Sequence, residues 1–228
     1  MRLATWQQDH KLVIHDFLTA MNRKTDAFIL KGGTALMECY HLDRFSEAID
    51  LDATHGTLHE FVEDFCKERG YAFRIAKDTQ TVNRFMIAYD QENNKPLKVE
   101  ISYRNKNISP NLYQEVDGIQ VYTIDRLAQL KAGAYQGREK IRDLYDICFI
   151  CNKHYYELGE ATINQIKDAV LYKGFDYLDY IVETQPDPLI DKDKLADSYL
   201  RMFDKLDLLY THEEKSELLA NRRKPLTR

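Results

Sequence analysis

The chain has 228 residues, 44% of them hydrophobic and 30% charged, a length that suits one large domain or two small intertwined ones and can bury a sizeable core. Its 15 Tyr and 10 Phe exclude a disordered chain, and a net charge of -5 excludes a globally basic nucleic-acid binder while allowing a local basic cleft. No apolar run approaches the roughly 18 residues that a membrane-spanning helix needs.

The N-terminus, MRLATWQQDHKLVIHDFL, lacks the apolar core and small-residue cleavage site of a signal peptide, so a cytoplasmic protein is expected. Residues 10–21 place Leu12, Val13, Phe17, Leu18 and Met21 at helical spacing. The apolar run Ala27 to Leu30 then stops at Gly32-Gly33, and helix formers follow from Thr34 to Tyr40. A strand, a tight glycine turn and a helix are predicted there. Ile49 and Leu51 alternate with Asp50 and Asp52, the period of a strand. Helical spacing returns over 58–69, and strands are predicted at Tyr71–Ile75, Arg84–Tyr89 and Leu97–Tyr103, the last two joined by a polar hairpin connection at 91–96. Beyond Thr123 the pattern is helical over 124–136, 139–153, 160–182 and 192–209, and a basic tail begins near Arg222. The expected fold class is α+β, with a mixed core over 1–123 and a helical region over 124–228.

Four cysteines are too few for a disulfide framework. Cys148 and Cys151 form a CxxC, but inside the apolar helical pattern DLYDICFICNK and with no second ligand pair, so core packing is the preferred reading over redox or zinc chemistry. None of the seven histidines lies at metal-motif spacing to another.

Three segments carry chemistry. Lys31-Gly32-Gly33-Thr34 lies between a strand and a helix, where glycines let the backbone approach a ligand and the helix start offers N–H groups to phosphate. Arg44-Phe45-Ser46-Glu47-Ala48-Ile49-Asp50-Leu51-Asp52 sets residues 48, 50 and 52 on one strand face, with Asp50 and Asp52 about 7 Å apart. Such a pair suits a hard cation that completes its shell with phosphate, or is an exposed acidic strand end. Glu100, on the side of its strand opposite Val99 and Ile101, is a plausible third carboxylate or a solvated one. In the third segment Lys131 falls on one helix, while Arg142 and Asp146 share a face of the next. Lys131, Arg138, Lys140 and Arg142 form a cationic stretch opposed locally only by Glu139, which suits polyphosphate or RNA, or is a solvated helix face.

In order and spacing, with 13 residues between Thr34 and position 48, these segments resemble the polymerase-β-type nucleotidyltransferase core. More specifically, LKGGTAL, RFSEAIDLD, KVEIS and K-x6-R-x-K-x-RDLYD resemble the AbiEii/AbiGii family of nucleotidyltransferase toxins, which includes MenT-like members; the landmarks run from residue 30 to 146. The resemblance implies a nucleotidyltransferase core with a C-terminal helical region and Mg2+-dependent transfer of a nucleotide from an NTP to an RNA 3′ end. The expected acceptor is the tRNA end, so that translation is blocked, and the expected partner is a cognate antitoxin of the AbiEi or another type. It also implies roles: Gly32, Gly33 and Thr34 cradling phosphates, Ser46 bonding one, Asp50 and Glu100 binding metal, and Lys131 contacting the triphosphate. Asp146 matches the family's later essential aspartate, and Arg138, Lys140 and Arg142 would steady the nucleotide or RNA end.

One departure outweighs the matches. The family reads R-x-S-x-D-x-D, which puts its metal pair on positions 48 and 50, and this chain has Ala48. A methyl group ligates no Mg2+, so a catalytically impaired form is expected. The other reading shifts the pair to Asp50 and Asp52, which displaces the metal from the phosphate turn. Two further alternatives stay open: a non-catalytic module binding nucleotide, RNA or a partner on the same fold, and an enzyme that nucleotidylates a protein or small molecule.

Overall fold

The computed structural model describes residues 4–90, 95–105 and 107–209; the basic tail from Arg222 and most of the 91–96 connection lie outside the described residues. Contacts divide the chain into two compact units, Met1–Lys131 and Ala132–Arg228.

The first unit opens with α1 (Thr5–Lys24), which buries Ile14, Phe17, Leu18 and Met21 along one stripe. The apolar run becomes β1 (Phe28–Lys31), and the glycine turn starts α2 (Gly32–Cys39). The acidic alternation becomes β2 (Ala48–Ala53), followed by α3 (His59–Arg69), which ends on left-handed Gly70. Phe17 of α1 meets Phe61 and Phe65 of α3 edge-on, at centroid distances of 5.2 and 5.0 Å. Three strands follow, β3 (Ala72–Asp78), β4 (Val82–Ala88) and β5 (Leu97–Ser102), in agreement with the predicted positions.

A further hairpin, β6 (Tyr113–Val116) and β7 (Ile119–Tyr122), was not expected from the sequence. Asp117 and Gly118, at φ 49° and 77°, form its two-residue turn. The seven strands order as β3-β4-β5-β2-β1-β7-β6. The centre is mixed: β1 runs antiparallel to β2 and parallel to β7, and β2 runs parallel to β5. Ile29, Leu30, Ile49, Leu51, Val99 and Ile101 are fully buried, so the central strands form the core and their alternate residues are left for the site.

Helix α4 (Ile124–Gly137) carries the chain from the first unit into the second, which contains α5 (Ile141–His154), α6 (Glu160–Lys173), α7 (Tyr177–Thr184) and α8 (Lys192–Lys205). The single helix expected over 160–182 is broken. Gly174 takes φ 83°, and the hydroxyl of Tyr199 donates to the carbonyls of Gly174 and Phe175 that the break exposes. Helix α8 starts where the sequence places it, because Asp191 caps it by accepting from the amides of Asp193 and Lys194. Cys148 and Cys151 pack inside this unit, and burial drives both thiols far from ionisation, that of Cys151 up to about 12. Among the described residues no helix is long and apolar enough to cross a membrane.

Candidate active site

The turn between β1 and α2 is shaped by what stands against it. Gly32 takes φ 77°, and a Cβ there would lie 3.1 Å from a carboxylate oxygen of Asp50. A Cβ on Gly33 would lie 2.7 Å from the Arg44 guanidinium and 3.0 Å from the Ser46 hydroxyl. Both glycines therefore belong to a tightly packed turn rather than a loose one. The Thr34 hydroxyl donates to the carbonyl of Ala48 and lies 2.9 Å from the Ser46 hydroxyl, which joins the start of α2 to the segment leading into β2. Arg44 is buried and donates to the carbonyl of Phe45. From the other side, His10 of α1 joins the Glu47 carbonyl at 2.9 Å and the Tyr89 hydroxyl at 2.6 Å. The segment 44–48 is thus fixed at several points before β2 begins.

Strand register then lines up a row of charge. Lys31, Asp50, Glu100 and Arg84 are successive neighbours across β1, β2, β5 and β4. Arg84 holds Glu100 through two nitrogens at 2.7 and 2.8 Å. The ammonium of Lys98 lies 3.7 Å from Asp50 and 3.7 Å from Glu100. Burial raises the Asp50 carboxyl above the usual range; the Glu100 charge adds to that, and Lys98, Lys31 and Lys131 oppose it. Burial also acts to raise Glu100, but the Arg84 hydrogen bond and the charges of Lys98, Arg84 and Lys31 outweigh it and leave this carboxyl low. Lys131, buried at the middle of α4, belongs to the same electrostatic field as Asp50. Asp52 stands apart: only 4% exposed, it accepts from the Lys31 ammonium at 2.5 Å and the Tyr122 hydroxyl at 2.8 Å.

The sheet unit thus brings together Gly32, Gly33, Thr34, Ser46, Ala48, Asp50, Glu100 and Lys131. The remaining expected residues lie in the helical unit. Asp146 is fully buried on α5. Arg138 grips Asp143 through two nitrogens at 2.7 and 3.1 Å, Arg142 pairs with Asp187 at 2.5 Å, and exposed Lys140 is the residue before α5. Carboxylates five and 45 residues further along the chain therefore balance two of these cations. Lys98, Arg84 and Lys31 were given no role from the sequence. The signal for Lys98 was present, since in Lys98-Val99-Glu100 the alternation that turns Val99 inward puts Lys98 beside Glu100.

The resemblance implies Mg2+, and the donor set decides whether these residues suit it. Position 48 offers a methyl group, Asp52 is committed to Lys31 and Tyr122, and the remaining pair, Asp50 and Glu100, already faces Lys98 and Arg84. Among the described residues no cluster of three or more His, Cys, Asp or Glu side chains could hold a metal ion. The residues do not fit a metal pair.

Two Helicobacter pylori structures share the fold. JHP933 is 24% identical, with 98% of this chain and 100% of that chain covered at a TM-score of 0.74. A candidate nucleotidyltransferase from H. pylori is 25% identical, with 92% and 100% covered at 0.72. MenT4, a nucleotidyltransferase toxin from Mycobacterium tuberculosis H37Rv, is 15% identical, with 90% and 85% covered at 0.49. No curated protein matches the sequence significantly. The family model for the nucleotidyl transferase AbiEii toxin of type IV toxin–antitoxin systems matches residues 16–221, nine-tenths of the chain, and the chain belongs to that AbiEii nucleotidyltransferase toxin family.

Proposed function

We propose that this chain is a nucleotidyltransferase toxin that takes an NTP at the Gly32-Gly33 turn, is directed to an RNA 3′ end, the tRNA acceptor end in particular, and is impaired in transfer by Ala48. Family membership implies a nucleotide substrate and an antitoxin partner. The observation that carries the reading is the packing of the glycine turn against Arg44, Ser46 and Asp50 at the start of α2, which supports a phosphate position beside a carboxylate. In this reading Thr34 and Ser46 hold the turn to β2 and Lys131 offsets triphosphate charge. The chemistry asks for alignment of a 3′ hydroxyl with the α-phosphate and release of pyrophosphate, which is mostly positioning and charge.

The test pairs this chain with Ala48→Asp, each incubated with total tRNA, Mg2+ and each labelled NTP in turn. The Asp variant is expected to transfer label at least about 10²-fold faster than the parent, the scale of losing one electrostatic group at a reaction centre. Equal transfer by both proteins would place the centre on Asp50 and Asp52 instead. No label from either, with NTP binding intact, would favour the second reading, a non-catalytic nucleotide- or RNA-binding module, to which Ala48 itself lends support.

A further inference from the structure

The row of charge on the sheet contains a cation, Lys98, to which the family resemblance assigns no role. Lys98 is the direct neighbour of Ala48 across β2 and β5, and Asp50 and Glu100 are the next pair along the same face. The Lys98 ammonium stands 3.7 Å from an oxygen of each carboxylate, about a third of its side chain is exposed, and Arg84 takes Glu100 from the far side. Two adjacent carboxylates repel each other unless a positive charge lies between them. In this chain the positive charge is covalently attached.

We propose that Lys98 is a resident counter-ion of the Asp50–Glu100 pair, holding the place between the two carboxylates that a divalent ion would take. A tethered ammonium has a high effective concentration, so a free ion must displace it before binding. The pair also meets two positive charges already, Lys98 and Arg84, so a divalent ion gains little by arriving. Ala48 completes the arrangement: an aspartate there would sit across from Lys98 and offer the ammonium another partner, releasing Asp50 and Glu100. Lys98 is thus a positioning residue, and the inference rests on reading Asp50 and Glu100 as the reaction centre.

The experiment is a Mn2+ titration of the full chain, with free ion followed by electron paramagnetic resonance, so it requires neither nucleotide nor transfer. The parent, Lys98→Met, Lys98→Arg and the double variant Lys98→Met/Glu100→Gln are compared, with Lys98→Gln as a second neutral replacement and melting temperature to confirm folding. Lys98→Met and Lys98→Gln are expected to bind Mn2+ at least tenfold more tightly than the parent. Lys98→Arg is expected to stay as weak as the parent, and the double variant to lose the gain. Equal affinity in the parent and the neutral variants, or a gain that survives Glu100→Gln, overturns the proposal. Absence of label transfer in every protein would count against the nucleotidyltransferase reading alone and leave this result unaffected.

Discussion

At the scale of single residues the candidate site depends on what is missing from side chains as much as on what is present. Gly32 and Gly33 lack Cβ atoms that would meet Asp50, Arg44 and Ser46. Gly32→Ala forces an L residue to φ 77° and is expected to cost about 1–2 kcal/mol, read as a lower urea midpoint. Gly33→Ala meets a buried guanidinium at 2.7 Å instead, so its expected signature is displacement of Arg44 and at least a tenfold loss of NTP affinity by calorimetry, with a smaller loss of stability. Ala48, the third small residue, was legible in the sequence as a departure from R-x-S-x-D-x-D, because a motif states which residue types its chemistry needs. The partner set of Asp52 was not legible. Nothing near position 52 announces that Tyr122, 70 residues later, donates to its carboxylate.

At the scale of elements the sequence was informative wherever periodicity and punctuation agreed. The strand–turn–helix around Gly32, the alternation in β2 and the cap of α8 at Asp191 all follow from local rules. The β6–β7 hairpin carried a local signal too, Asp117-Gly118 between Tyr-Gln-Glu-Val and Ile-Gln-Val-Tyr, which is a two-residue turn flanked by alternating residues. The break at Gly174 was harder to read, since a single glycine in a helical pattern is often tolerated and here the Tyr199 hydroxyl supplies the compensation. The hairpin matters to the site because its last residue fastens Asp52, and through it Lys31. Tyr122→Phe removes a hydrogen bond to a buried, ion-paired carboxylate and is expected to cost about 1.5–3 kcal/mol in urea unfolding. If the melt is unchanged, Asp52 is held by Lys31 alone.

At the scale of the whole molecule, protonation links folding to the segment that precedes β2. Burial holds the His10 imidazole below its usual value of 6.5, and the hydrogen bond to the Glu47 carbonyl only partly opposes this. A histidine lowered on folding contributes stability that is present above the unfolded value and lost as pH falls through it, because the unfolded chain takes up a proton that the folded ring refuses. Urea midpoints are therefore expected to fall between pH 7 and 5, by up to about 1.4 kcal/mol per pH unit from this group. His10→Gln should flatten that slope. Distant pairings such as this one, 37 residues from His10 to Glu47, are what a reading of the sequence could not supply, whereas the order of strands and helices largely followed from composition and spacing. Distance along the chain also sets an order of events. Strand β7, which pairs parallel with β1, follows all the other strands in sequence, so a nascent polypeptide that has not yet supplied it lacks the partner for one edge of β1. Lys31 and Asp52 are 21 residues apart, whereas Tyr122 follows Asp52 by 70. Synthesis halted before the hairpin would release a sheet with an open edge, a substrate for chaperones and proteases rather than a toxin.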